Sequence, residues 1–148
     1  MEDKKRIMTW NKEEVLSQFN TMCQNTLMQT LQIEFIDVGP DFLVAKMPVN
    51  PTVHQPMGLL HGGATVALAE SVGSAASMLF VNRETEEVRG IEISANHVKS
   101  KRAGEVFATA KMIHKGRLVH LWEIKIVDEQ DVMISLCKLT NIVLPLKK

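Results

Sequence analysis

The sequence lacks three features that would place it in a special class of protein: paired cysteines, an excess of charge, and a secretory apolar run. Cys23 and Cys137 stand far apart without a C-x-x-C spacing, so neither a disulfide framework nor a zinc site is predicted. The 17 basic residues balance the 17 acidic ones, so no net charge attracts nucleic acid or an anionic membrane. We therefore expect two buried, reduced thiols and no nucleic-acid partner.

The apolar residues near the start are too few for a secretory signal, which predicts a cytoplasmic location. Residues 62–81 have roughly the length of a membrane span. However, Glu70 stands near the centre of this segment, where an acidic residue costs about 2.5–3.5 kcal/mol on insertion, and much of the remainder is Gly, Ala and Ser. We predict a helix of the protein core and no membrane partner.

The length of 148 residues predicts a single domain over residues 1–148. Asn11 followed by Glu14 predicts a helix start, and apolar residues continue at helical spacing to about Leu27. Two β-rich runs, 31–37 and 42–49, are separated by turn residues and predict a hairpin. A proline-marked loop then leads to the long helix.

Four strand-like runs follow the long helix, at about 88–98, 105–114, 119–128 and 132–144. In the third run, apolar Trp122, Ile124 and Ile126 alternate with charged residues, which is typical of a sheet with one covered face. The linkers are too short for crossover helices, so the sheet should be antiparallel. We predict an α+β fold in which a curved antiparallel sheet wraps a long central helix, with an extra N-terminal helix.

Between His61 and Arg83, Glu70 is the only side chain that ionises strongly, and the helix around it is apolar or small on nearly every side. Such a helix should be buried, and burial makes the pKa of a carboxyl group tunable, as in catalytic acids and bases. His61-Gly62-Gly63 opens the same helix, where free backbone N–H groups can stabilise a developing oxyanion. The combination indicates an enzyme.

This order of elements, with His-Gly-Gly at the helix start and a carboxylate inside the helix, resembles the hotdog-fold acyl-CoA thioesterases. It is most similar to the 4-hydroxybenzoyl-CoA thioesterase group, and within that group to the branch of the 1,4-dihydroxy-2-naphthoyl-CoA hydrolases of menaquinone biosynthesis. The motifs that carry the resemblance are residues 55–64, 68–71, 73–74 and 90–100, and the similarity runs from about residue 27 to 142. An isolated His-Gly-Gly means little, but these motifs at fixed spacing are specific.

The resemblance implies a role for each matching residue. Glu70 matches the catalytic carboxylate, which either attacks the thioester carbonyl or deprotonates water. The backbone N–H of Gly62 matches the group that polarises that carbonyl. The remaining matches are polar residues that position the thioester, the carboxylate or the water, together with one pocket residue near the substrate: Gln55, His61 and Ser74, and then His97.

Acyl-CoA is the expected partner, and its phosphates need local positive charge. Two basic clusters are candidates for that contact: Ser100, Lys101 and Arg102 after Lys99, and Lys115, Gly116 and Arg117. His54, His61 and His97 match no common metal-site spacing, so neither a metal nor a cofactor is predicted.

We expect an acyl pocket bounded by the helix face around Glu70 and by the loop before His61, with room for a flat ring beside Met57, Gly73 and Met78. The predicted substrate is an aromatic acyl-CoA, 1,4-dihydroxy-2-naphthoyl-CoA above all, with medium-chain acyl-CoA also accepted. Two alternatives stay open: a hotdog hydratase or dehydratase that acts on acyl thioesters, and a non-catalytic acyl-CoA-binding module.

Gly62 and Glu70 lie eight residues apart on one helix, or about 12 Å at about 1.5 Å per residue. A single carbonyl cannot lie within contact distance of both. We therefore predict an obligate homodimer in which each site takes one of these residues from each chain. The small residues Gly73, Ala76 and Ser77 are expected to let two helices approach closely, and the resemblance implies that dimers pair into homotetramers.

Overall fold

The structure, a computed structural model, describes residues 10–147. Three helices, α1 (Lys12–Met22), α2 (Leu27–Thr30) and α3 (Gly62–Met78), accompany a sheet and a 3₁₀ turn at Pro51–Val53. The strands are β1 (Glu34–Val38), β2 (Phe42–Val49), β3 (Glu86–His97), β4 (Gly104–Lys115), β5 (Val119–Val127) and β6 (Met133–Pro145). They form one sheet in the order β1-β2-β4-β5-β6-β3, in which neighbouring strands are antiparallel. The predicted α+β architecture is confirmed.

Helix α1 begins as predicted, since the Asn11 side chain accepts a hydrogen bond from the Glu14 N–H at 3.2 Å. It ends at Met22, however, and the expectation that it continues to Leu27 is wrong. Asn25 adopts a left-handed backbone with φ of 60°, and Thr26 caps the separate helix α2. The apolar spacing continued through this break because α2 packs on the same cavity as α1.

The hairpin of β1 and β2 forms as predicted, although β1 starts only at Glu34, because Leu31 is the C-cap of α2 and Gln32 lies in the turn that follows, with φ of 57°. On β5, Trp122, Ile124 and Ile126 are fully buried, while the charged residues between them are exposed. The alternation therefore identified the covered face correctly. That face packs against α3.

Helix α3 begins at Gly62, with His61 as its N-cap, and packs on the sheet through one face. Gly73 lies so close to the sheet that an added Cβ would be 2.6 Å from the Leu139 side chain. Ala76 and Ser77 are also fully buried on this face. The small residues therefore permit close packing on the sheet of the same chain, and the expectation that they serve a partner helix is wrong.

The other side of α3 is less covered than predicted. Glu70, Ser71 and Ser74 are only partly buried. The expectation of a helix enclosed on nearly every side is therefore wrong for the single chain, since the apolar and small residues of α3 face both the sheet and a cavity.

Cys23 and Cys137 are both buried and free, and burial raises the pKa of each thiol. Within residues 10–147 no helix is long and apolar enough to cross a membrane.

Strand β3 forms one edge of the sheet, hydrogen-bonded to β6 along one side. Along this edge Arg89, Gly90, Ile91 and Glu92 are all exposed.

Candidate active site

A cleft at the start of α3 collects five of the predicted site residues. It has a volume of about 310 Å³ and lies between the loop before α3, the end of β3 and the segment that follows β3. The predicted residues that line it are Gln55, Gly62, His97, Ser100 and Lys101. We call it the N-terminal cleft.

His97, the last residue of β3, lies directly beside Gly62 in this cleft. A Cβ added to Gly62 would be 2.8 Å from the His97 Nε2 atom, so only glycine leaves this space free. Ser135 donates its proton to the Asn96 carbonyl at 3.2 Å, so the 3.0 Å contact between Ser135 Oγ and His97 Nδ1 requires a proton on Nδ1. In neutral His97 the Nε2 lone pair then faces Gly62.

His61 and Gln55 hold the loop and the helix start in shape. The Nδ1 atom of His61 accepts a hydrogen bond from the Gly63 N–H at 2.8 Å, which makes His61 the helix N-cap. The Gln55 side chain accepts a hydrogen bond from the Met57 N–H, and the Gln55 N–H donates to the Leu59 carbonyl at 2.8 Å. These contacts fix the position of the first N–H groups of α3.

A separate apolar cavity of about 360 Å³ lies against the middle of α3. Helices α1 and α2 cover it, and strand β1 closes one side. Its lining residues within 10–147 are apolar apart from Glu70, Ser71 and Ser74, and the others are Phe19, Met22, Cys23, Leu27, Met28, Phe35, Ala67, Ala75 and Met78. We call it the apolar cavity.

The predicted lining of the acyl pocket is therefore only partly correct. The helix face around Glu70 does line the apolar cavity, and so does Met78. Met57, however, is 74% exposed, and Gly73 faces the sheet. The loop before His61 lines the N-terminal cleft instead. Sequence reasoning missed the lining from α1 and α2, because these helices reach the cavity through tertiary packing.

The carboxylate of Glu70 lies against Gly90 of β3. A Cβ added to Gly90 would be 2.6 Å from Glu70 Oε1. The pairing of β3 with β6 is also irregular between Gly90 and Glu92, as in a β-bulge. Gly90 was not predicted as a site residue, although a glycine inside a strand was a signal that another group approaches closely.

Ser74, one turn after Glu70, lines the same cavity. Its hydroxyl donates to Asn141 Oδ1 on β6, with 3.5 Å between the two oxygens, rather than to Glu70. Asn141 also contacts Ser77, which in turn contacts His120 and Trp122. No sequence pattern indicates this buried group, because its members come from three distant segments.

The two basic clusters do not meet within one chain. Lys101 forms ion pairs with Asp128 at 3.9 Å and with Glu129, and its hydrogen bond lowers the pKa of Glu129 to about 2. Arg102 Nη1 donates to the Met57 carbonyl at 3.4 Å. The other cluster lies at the turn between β4 and β5, where the Lys115 ammonium is 6.0 Å from the Phe80 ring, beyond the C-terminal end of α3. Arg117 and Gly116 belong to the same turn.

Within the described residues, no group of three or more His, Cys, Asp or Glu side chains is placed to hold a metal ion. The site offers a carboxylate beside an apolar cavity and backbone N–H groups at a helix start.

Comparison with known proteins identifies the family of the chain. Residues 57–135 match the model of the thioesterase superfamily. The chain is 42% identical over 137 residues to the 1,4-dihydroxy-2-naphthoyl-CoA hydrolase of Escherichia coli, a match that covers 93% of this chain and 100% of that protein. It is 41% identical over 137 residues to the proofreading thioesterase EntH of Cronobacter turicensis, covering 93% and 99% respectively.

Solved structures agree with the sequence matches. A thioesterase from Pseudomonas aeruginosa superposes with a TM-score of 0.88 at 39% identity, over 95% of this chain and 98% of that one. A thioesterase from Haemophilus influenzae gives a TM-score of 0.88 at 38% identity with the same coverage. The chain belongs to the thioesterase superfamily, and thioester hydrolysis is the class of reaction that it catalyses. The hotdog fold is thereby confirmed.

Proposed function

We propose that the chain hydrolyses aromatic acyl-CoA thioesters to the free acid and CoA, with 1,4-dihydroxy-2-naphthoyl-CoA as the leading substrate and medium-chain acyl-CoA also accepted. The observation that carries the proposal is the apolar cavity of about 360 Å³ with Glu70 in its wall. Its size lies near the lower end of the roughly 300–1,000 Å³ typical of small-molecule pockets. A cavity of this volume suits an acyl group with a ring system or with a medium-length alkyl chain. The Escherichia coli relative named for the naphthoyl substrate supports the ring system.

In this proposal Glu70 acts on the thioester carbonyl, either as the nucleophile or as the base that deprotonates water. The Gly62 N–H stabilises the oxyanion, helped by the positive end of the α3 dipole. His97 and Gln55 orient the thioester in the N-terminal cleft, which they line together with Gly62. Ser74 and His61 complete the proposed set, Ser74 beside Glu70 and His61 as the cap of α3.

The proposal requires two chains. Glu70 lies in the wall of the apolar cavity and Gly62 in the N-terminal cleft, about 12 Å apart along α3 at about 1.5 Å per residue. We propose a homodimer in which the Glu70 half of one chain meets the Gly62 half of the other, giving two equal sites.

The edge strand β3 supports a particular way of pairing. Glu70 lies against Gly90 and Gly62 lies against His97, and both Gly90 and His97 belong to β3. If two β3 strands pair antiparallel about a two-fold axis midway between these residues, Gly90 of one chain lies near His97 of the partner subunit. The same pairing covers the exposed Ile91 and an edge that would otherwise invite aggregation.

For CoA, we propose that Ser100 and Arg102 contact the phosphates beside the N-terminal cleft. Lys101 belongs to the same cluster, but Asp128 and Glu129 already offset its charge. Lys115, Gly116 and Arg117 lie near the opposite end of α3, so a contact from them would come from the other chain of the dimer.

Pairing of dimers into tetramers, one domain over residues 1–148, and a cytoplasmic location remain predictions.

Release of free thiol from a panel of acyl-CoAs tests the proposed function. We expect kcat/KM to be highest for naphthoyl-type and benzoyl-type substrates, and the Glu70→Gln variant to lose about 10³-fold in kcat with KM little changed. A higher kcat/KM for long-chain acyl-CoA would contradict the proposed substrate. Binding of acyl-CoA without hydrolysis would favour the binding-module alternative, and addition or loss of water at the acyl chain would favour the hydratase or dehydratase.

A further inference from the structure

A buried group of polar side chains joins α3 to β5 and β6 directly behind the proposed catalytic carboxylate. Its members are at most 2% exposed: Ser77 of α3, His120 and Trp122 of β5, and Asn141 of β6. Ser74 connects the group to the apolar cavity. Because buried donors and acceptors are almost always paired, the position of each proton can be deduced from what each group is able to donate or accept.

Ser77 is the centre of the group. Its oxygen receives the Trp122 Nε1–H at 2.7 Å and the Asn141 Nδ2–H at 2.8 Å, and both of these nitrogens can only donate. Its two lone pairs are then used, so its own proton points to His120 Nδ1 at 3.0 Å. His120 therefore carries its proton on Nε2, and burial lowers the pKa of His120, which favours the neutral ring.

The amide of Asn141 has one possible orientation. Its Nδ2 donates to the Gly73 carbonyl at 3.1 Å as well as to Ser77, and a carbonyl oxygen cannot donate in return. Oδ1 is thereby directed at Ser74 Oγ, 3.5 Å away, and accepts the Ser74 proton. Ser71 behaves differently, since it donates to the Ala67 carbonyl of its own helix at 2.6 Å. The hydroxyl of Ser74 is thus directed across to β6.

We infer that Asn141 is a positioning residue for thioester hydrolysis: by accepting the Ser74 proton, it turns the Ser74 lone pairs toward the cavity beside Glu70. The inference rests on the proposed function. An ionised Glu70 also accepts hydrogen bonds, so Ser74 and Glu70 cannot bond to each other in this arrangement. A water molecule between them can donate one hydrogen to each. Asn141 thereby orients that water without touching it.

A double-mutant cycle in the full-length enzyme tests the inference. We expect Ser74→Ala and Asn141→Leu each to lower kcat about tenfold with KM changed less than about twofold, since each removes one hydrogen bond that acts on the water. The double variant should then match Ser74→Ala alone, because Asn141 acts through Ser74. Losses in kcat that simply multiply would overturn the inference, since a purely structural residue acts independently of Ser74.

Cys137→Ala provides the matched control, because Cys137 is buried on the same strand four residues earlier. It should leave kcat near the wild-type value while changing the melting temperature. A tenfold loss of kcat in this control would mean that any disturbance of β6 slows the reaction, and would also overturn the inference.

A measurement on the wild-type protein keeps the inference testable if Asn141→Leu does not fold. Nitrogen-15 NMR of labelled histidine should show His120 with a proton on Nε2 and none on Nδ1. A proton on Nδ1 would refute the deduced arrangement of hydrogen bonds, because the Ser77 oxygen would then have to accept three of them. The catalytic role of Glu70 in the proposed function is tested separately: full hydrolysis by Glu70→Gln refutes that role, whereas an inactive Glu70→Gln together with kcat losses that multiply in the cycle refutes the role of Asn141 alone.

Discussion

The N-terminal cleft and the apolar cavity are held in place in different ways. In the cleft, the N–H groups around Gly62 are positioned by the start of α3 itself and by the cap His61, a few residues away. At the cavity, Glu70 is positioned by Gly90 of β3, and Ser74 by Asn141 of β6, a residue 67 positions away in the sequence. The half of the proposed site in the N-terminal cleft is formed by residues that are close in the sequence, and the half at the apolar cavity depends on the assembled sheet.

The largest expected effect comes from placing one defect in each half. Glu70→Gln and Gly62→Val should each be nearly inactive, because the first removes the carboxylate and the second adds a side chain where His97 lies. Equal amounts, mixed and allowed to exchange subunits, should regain about a quarter of wild-type activity, since half the dimers are mixed and each has one intact site. The assay is thiol release before and after exchange.

Glu70→Gln mixed with Glu70→Ala is the control, and it should regain nothing because both defects lie in the same half. If the Glu70→Gln and Gly62→Val mixture also regains nothing, although native mass spectrometry shows mixed dimers, then both halves act within one chain.

A smaller effect is expected from disturbing the support of the carboxylate. Gly90→Ala places a methyl group 2.6 Å from Glu70 Oε1, so the carboxylate has to move. We expect kcat to fall about a hundredfold, because misplacement of a reacting group by about 1 Å is that costly. Ser94→Ala, on the same strand, should leave kcat unchanged. A wild-type kcat for Gly90→Ala would show that the position of Glu70 is not sensitive to β3.

The wall of the apolar cavity offers a test of substrate choice. Met28→Trp adds bulk to the cavity from α2, so kcat/KM for a naphthoyl-type substrate should fall about tenfold while the value for acetyl-CoA stays constant. Thr30→Trp introduces the same side chain at an exposed position of α2 and should change neither value. Equal losses for both substrates would mean that the acyl group binds elsewhere.

The smallest effect concerns the ion pair beside the N-terminal cleft. The hydrogen bond from Lys101 lowers the pKa of Glu129 from 4.5 to about 2, so Glu129 stabilises the folded chain above pH 4.5 and loses this contribution as the pH falls toward 2. The melting temperature of Glu129→Gln should therefore lie slightly below that of the wild type at pH 6, with the gap narrowing toward pH 3. The gap should be small because Glu129 is largely solvated.

Glu123→Gln, at an exposed position of β5, is the control for this measurement, because it removes a surface carboxylate and leaves the ion pair of Lys101 and Glu129 in place. A constant difference between wild type and Glu129→Gln from pH 6 to pH 3 would show that the ion pair with Lys101 does not stabilise the fold.

Prediction from the sequence succeeded where the pattern is local. The N-cap Asn11, the start of α3 at Gly62 and the alternation around Trp122 each depend on neighbouring residues, and all three are confirmed. It failed where the decision is made by packing. The end of α1 was placed too late because the residues of α2 keep the same apolar spacing, and Gly73 was assigned to a partner helix although it faces the sheet of its own chain.

By itself, the sequence determined the order of helices and strands, the free N–H groups at Gly62 and the single carboxylate of the central helix, because helix caps and side-chain periodicity depend on near neighbours. Only the tertiary structure decided that Gly90 meets Glu70, that Asn141 directs the Ser74 hydroxyl, and that α1 and α2 cover the apolar cavity. These contacts join segments that are distant along the chain, and no local pattern specifies which of the many compatible pairings forms until the sheet has been assembled.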